Sequence, residues 1–211
     1  MDFLKRILII LVLFLIYTCI CAFSYANNVS SDISNNVLRL HILANSDSDE
    51  DQNLKLKIRD NILAYMRGIS NDIHSKEDAI SLVEEKMDMF EGIAMQTIYE
   101  EGYDYPVNIQ VGNFDFPTKD YGSISLPSGK YDALRIEIGE ANGHNWWCVM
   151  FPSLCFVDVS SDPLDEKSKE MLENSLNEEE YKLISEDDSV MNFKFKILEF
   201  FDDMRIKLAN K

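Results

Sequence analysis

Asp47, Asp49 and Asp51 alternate along the chain, a spacing that in a calcium loop supplies the first three oxygen ligands. The rest of that loop is missing. Its sixth position needs Gly for a sharp turn and holds Gln52, and its twelfth needs Glu and holds Ile58. A solvated helix cap or a partner surface is the other use of these acids, and no cofactor or metal is expected. Cys148 and Cys155 lie close together around Pro152. Such a pair reads first as a disulfide, with buried thiols or a metal site as alternatives. A zinc site would need His41, His74 or His144, and the paired ligand spacings of structural zinc are absent.

Other chemistry is not visible. No Ser lies in a G-x-S-x-G elbow, and no H-E-x-x-H, phosphate loop or dinucleotide fingerprint occurs. Two opposed carboxylates could serve a glycosidase, but an acid-rich chain always offers such a pair on paper. His41, in a β-favouring run, and His144, in a turn, read as structural. The unusual segment is Asn145-Trp146-Trp147-Cys148-Val149-Met150-Phe151-Pro152, which holds both tryptophans of the chain. On a strand, neighbours face opposite sides. One ring can anchor the core; the other needs cover from the same chain or from a partner.

Composition narrows the partners. The 211 residues carry 20 Lys+Arg against 37 Asp+Glu, a net charge of −17. That excess disfavours nucleic acid and anionic membrane surfaces, which both need clustered cations, and no small-molecule substrate is indicated. Lys5 and Arg6 precede an uncharged apolar run from Ile7 to Phe23, then Ser24-Tyr25-Ala26 gives a small-x-small exit. This is the pattern of a secretory signal peptide cleaved after Ala26. An uncleaved anchor is the alternative, since the run meets the short limit for spanning a bilayer. Cleavage would remove Asp2, Lys5 and Arg6, leaving 18 basic and 36 acidic residues, a net charge of −18. An exported core would sit where disulfides persist.

The elements follow from periodicity. Residues 27–36 are rich in Asn and Ser and read as a flexible leader before a single domain, 37–211. Val37–Ala44 is β-favouring. Ser48 with Asp51 caps a helix whose apolar positions are Leu54, Ile58, Ile62, Tyr65 and Ile69. Ser75 with Asp78 caps a second, ended by Gly102. Val107–Val111, Leu134–Ile138 and Trp147–Phe151 alternate as strands, and Asn142-Gly143 predicts a two-residue hairpin joining the last two. The acidic stretch 162–188 keeps a helical apolar face, and a final helix is marked by Val190, Phe193, Ile197, Phe200, Phe201, Met204 and Leu208. The order β-α-α-β-β-β-α-α predicts an α+β domain, with helices on one face of a mainly antiparallel sheet.

Two blocks carry a family resemblance: LRLHILANSDSDEDQNLKLKIRD (Leu38 to Asp60) and VGNFDFPTKDYGSISLPSGKYDALRIEIGEANGHNWWCVMFPSLCFVD (Val111 to Asp158). They resemble the stage II sporulation protein R family. The resemblance implies a protein made in the forespore and exported to the space between forespore and mother-cell membranes. There it would activate a membrane-embedded aspartic protease that processes pro-sigma-E, acting as a ligand and not as an enzyme. Position by position, Asn45, Ser46, Asp47, Ser48, Asp51, Gln52, Lys55 and Arg59 match the first block. Asn145, Trp146, Trp147, Cys148, Pro152 and Cys155 match the second. Of these, Asn45 to Arg59 and Asn145 to Trp147 are the expected partner-binding residues. Local turn capping by Asn45 and Asp47 is the competing use. An exported cell-wall hydrolase or a passive envelope-binding module is the alternative function.

Overall fold

The structure, a computed structural model, describes residues 2–70, 73–121, 124–152 and 166–185. The chain starts with helix α1 (Asp2–Asn35). Its apolar stretch Phe3–Cys21 is long enough to cross a membrane and is wholly exposed, compatible with a signal sequence. The expected flexible leader does not match the backbone. The helix runs on to Asn35, Ile33 is enclosed in the core, and the Ser34 carbonyl accepts from Lys76 Nζ at 3.0 Å. Polarity suggested a loose segment because a single well-placed Ile carries the packing.

Strand β1 (Leu38–Leu43) is buried along its whole length, including Arg39 and His41, which alternate with its apolar residues. It leads to helix α2 (Asp49–Ile69), where Ser48 Oγ accepts from the Asp51 amide and Asp49, Glu50 and Asp51 fill the first turn. Leu54, Ile58, Ile62 and Met66, one turn apart, bury its inner face.

The second predicted helix is two. Helix α3 (Lys76–Glu85) is capped by Ser75, and helix α4 (Met87–Glu100) begins after a break at Lys86. The cause is tertiary: α3 lies against β1 while α4 packs on α2, so one straight axis cannot serve both. Gly102, at φ +85°, ends α4 as expected. The Gly102 amide donates to Tyr99 O and that of Tyr103 to Ile98 O, both at 3.0 Å, the paired bonds of a Schellman motif.

The strands β2 (Val107–Phe116), β5 (Gly129–Ile138) and β6 (Asn145–Phe151) join β1 in a sheet of order β2-β5-β1-β6. Between β2 and β5, two short strands, β3 (Lys119–Tyr121) and β4 (Ile124–Leu126), pair as a separate ribbon that no periodicity announced. The β2–β5 and β1–β6 pairs are antiparallel and β1–β5 is parallel. The fold is therefore α+β with a mostly antiparallel sheet. The predicted β5–β6 hairpin is wrong, because β1 is inserted between the two strands. Helices α5 (Glu166–Ser175) and α6 (Glu178–Ser185) form in the acidic stretch, with Leu172, Leu176 and Ile184 buried. The predicted final helix at 190–208, and Cys155, lie outside the described residues.

Alternation along β1 sorts the core into two faces. Leu40 and Ile42 share a face with Leu134, Ile136, Cys148 and Trp146, their register partners. Arg39 and His41 face the other way. That second side is not bare: Tyr121 and Lys119 of the β3–β4 ribbon reach Arg39 and Trp147 there, with α6 against β4. Fully buried Arg39 donates to Tyr121 Oη at 2.6 Å and lies 4.1 Å from the Phe116 ring centroid and 4.8 Å from that of Tyr131. Aromatic faces stabilise the cation where water is excluded.

Candidate functional site: the junction of two loops

Because β1 lies between β5 and β6, the loop leaving β1 meets the loop connecting those two strands. The Gly143 amide donates to Ala44 O at 3.0 Å and the Asn142 amide to Asn45 O at 3.2 Å. A Cβ at Gly143 would run into the Ser46 carbonyl oxygen, and one at Gly139 into the Asn45 side chain. Close backbone approach, not a two-residue turn, is why Gly143 stands there. Positive φ falls instead at Gly139 and Ala141.

Asp51 is the hub of this junction. It is 4% exposed, and its Oδ2 accepts from Ser46 Oγ at 2.5 Å and Asn45 Nδ2 at 2.8 Å. Burial pushes its carboxyl up, but hydrogen bonds from Ser46, Asn45 and Tyr105 outweigh that, so its pKa is below the ordinary carboxylate value. Asn45 also accepts, through Oδ1, from the Glu140 amide at 3.0 Å. Gln52 Nε2 donates to Ser46 O at 2.9 Å. Lys55, 4% exposed, donates to Gln52 Oε1 at 2.5 Å and to His144 O at 2.8 Å. Burial lowers the Lys55 pKa, with the Asp47 charge opposing. At the outer edge Asp47 Oδ1 accepts from the His144 amide at 2.5 Å and pairs with its Nδ1.

The tryptophans extend the junction through the sheet. Trp146, on the α2 side, carries the Arg59 guanidinium 4.2 Å from its ring centroid. Trp147, on the other side, stacks on His41 with centroids 5.6 Å apart and holds Lys119 Nζ at 4.6 Å. Both rings are partly buried. Asn145 Oδ1 lies 2.8 Å from His41 Nε2, and burial lowers the His41 pKa against that hydrogen bond. Cys148 is buried in β6.

Every residue expected at the partner surface thus lies at or beside one junction, and most of their polar groups bond to one another. Asp47 and Asp51 direct their carboxylates to different partners, and among the described residues no three His, Cys, Asp or Glu side chains converge as a metal site. The sequence reading missed the roles of Glu140, His144, Tyr105 and Lys119. Gly139 and Gly143, four residues apart around the loop, were the available signal for a close approach. What the arrangement can do chemically is hold a rigid loop junction that presents the exposed Asp47–His144 pair at its outer edge.

Comparison with known proteins agrees with the two blocks. No solved structure matches the chain. Stage II sporulation protein R of Bacillus subtilis (strain 168) is 42% identical over 129 residues, which cover 61% of this chain and 58% of that protein's length. The family model for stage II sporulation protein R matches residues 34–161, from the end of α1 through both loops of the junction and beyond β6. A match over more than half of the chain, holding both sides of the junction, places this protein in the stage II sporulation protein R family.

Proposed function

We propose that this protein is an exported signal of endospore formation that activates a membrane-embedded aspartic protease and so triggers processing of pro-sigma-E, without cutting the substrate itself. The observation that supports this reading is the junction. Residues far apart in the two family blocks converge on one junction, and their polar groups hold one another in place. A preorganised surface loses little conformational entropy on docking, which is what a protein ligand needs. Action in the space between forespore and mother-cell membranes belongs to the same proposal. The exposed apolar stretch of α1 is compatible with it. A disulfide between Cys148 and Cys155 would pin the chain just beyond the tryptophan strand.

The test is co-expression with the candidate protease and pro-sigma-E in a non-sporulating host. Processing should require both this chain and the protease. Cleavage by the purified chain alone would overturn the ligand reading, and activity on peptidoglycan would favour a wall hydrolase.

A further inference from the structure

Outside α1, the exposed large apolar side chains among the described residues are Met89, Met95 and Tyr99, which are 50%, 55% and 78% exposed. All three belong to α4, and they project from one side of it, spread over about three turns or roughly 15 Å of helix. Gly92 lies between them, and a Cβ there would meet nothing within 4 Å, so the stripe has an open notch at its centre. The opposite side of α4 is fully committed: Phe90, Ala94, Thr97 and Ile98 are buried. Asp88, Glu91 and Glu100 are exposed around the stripe, and none of them is in an ion pair among the described residues. The flanking cations are engaged elsewhere, Lys57 with Glu101 and Lys86 with Glu85.

We infer that the α4 stripe docks a partner-protein helix that carries an apolar ridge flanked by Lys or Arg. Ridge-into-groove packing suits the Gly92 notch, flexible Met side chains adapt to such a ridge, and Tyr is a common interface anchor. Charge selects this occupant. A second copy would bring two acidic rims together on chains of net charge −17, and an anionic bilayer would repel the same rim. The inference deepens the activator reading and rests on it for the partner's place on the membrane protease, while the chemistry of the stripe stands by itself.

Two measurements separate these layers, the first of them on the chain as the producing cell exports it. The first is binding to a 16-residue Leu/Lys amphipathic helical peptide, with a Leu/Glu peptide as control, read by fluorescence anisotropy. The Leu/Lys peptide should bind. Met95→Ser/Tyr99→Ser and, separately, Glu91→Lys should weaken it about tenfold or more, with melting within about 2 °C of the parent. Equal binding by parent and variants, or no preference for Leu/Lys, overturns the inference. A fall in melting temperature on changing the exposed pair would show the stripe covered by this chain's own residues and would overturn it as well. So would a concentration-dependent dimer, or vesicle binding, that the variants lose. The second is the co-expression assay. If the parent chain triggers processing and the stripe variants trigger it equally, the docking surface is wrong. If the parent triggers nothing while the peptide result holds, the activator reading fails and the stripe survives.

Discussion

Replacing Asp51 measures how much the junction depends on its hub. In Asp51→Ala, Asn45 Nδ2 and Ser46 Oγ lose the carboxylate that accepts them at 2.8 and 2.5 Å. A buried donor left unpaired costs about 1–3 kcal/mol. Asn45 and Ser46 are only partly buried, so water recovers some of that, and two donors at the low end give about 2–3 kcal/mol. For a chain of this size that is a fall in melting temperature of about 4–12 °C. Asp51→Asn keeps one acceptor oxygen but loses the charge, and should cost about 1 kcal/mol. The pH dependence adds a second check. The folded Asp51 carboxyl titrates below its ordinary value, so its stabilisation is present above the unfolded pKa, near 4, and is lost as pH falls through the folded value. Urea unfolding of the parent and both variants between pH 7 and pH 3 reads both effects. The parent should exceed Asp51→Asn at pH 7, and the gap should narrow as pH falls below about 4. An Asp51→Ala variant within about 0.5 kcal/mol of the parent, or a gap to Asp51→Asn that does not narrow at all as pH falls, would refute the hub.

The other expectations concern the same surroundings. Gly143→Ala drives a methyl group into the Ser46 carbonyl and should destabilise the fold by about 1–3 kcal/mol; an unchanged melting temperature would mean the two loops do not touch. Burial holds His41 neutral, so the unfolded state takes up the proton first and stability should decline as pH falls below about 6.5; His41→Phe should flatten that slope between pH 7.5 and 5.5, and an equal slope would exclude His41 as its source. Mass spectrometry of the exported chain should find Cys148 and Cys155 unavailable to alkylation until reductant is added, and the double Ser variant should be no less stable than either single one. N-terminal sequencing of that same material should begin at Asn27; a product that retains the apolar stretch and fractionates with membrane would favour the anchor.

Local rules were readable wherever neighbours in sequence decide the outcome. Ser48 and Ser75 cap helices because their hydroxyls reach an amide three residues on, Gly102 ends α4 because positive φ suits it, and the apolar spacing of α2 names its buried face. The adjacency of Trp146 and Trp147 on a strand already requires that they part to opposite faces. The residue types of both blocks, and the charge of −17, were likewise legible. What linear order could not reveal is that β1 enters between β5 and β6. Asn142-Gly143 carried a strong local signal for a hairpin, and a non-local pairing overrode it, since both edges of β1 gain a hydrogen-bonded neighbour by insertion. The break at Lys86 and the enclosure of Ile33 have the same origin, since packing partners distant in sequence impose them. The junction itself follows from that insertion: Lys55 reaches His144, and Asn45 reaches Glu140, only because the sheet places the two loops side by side.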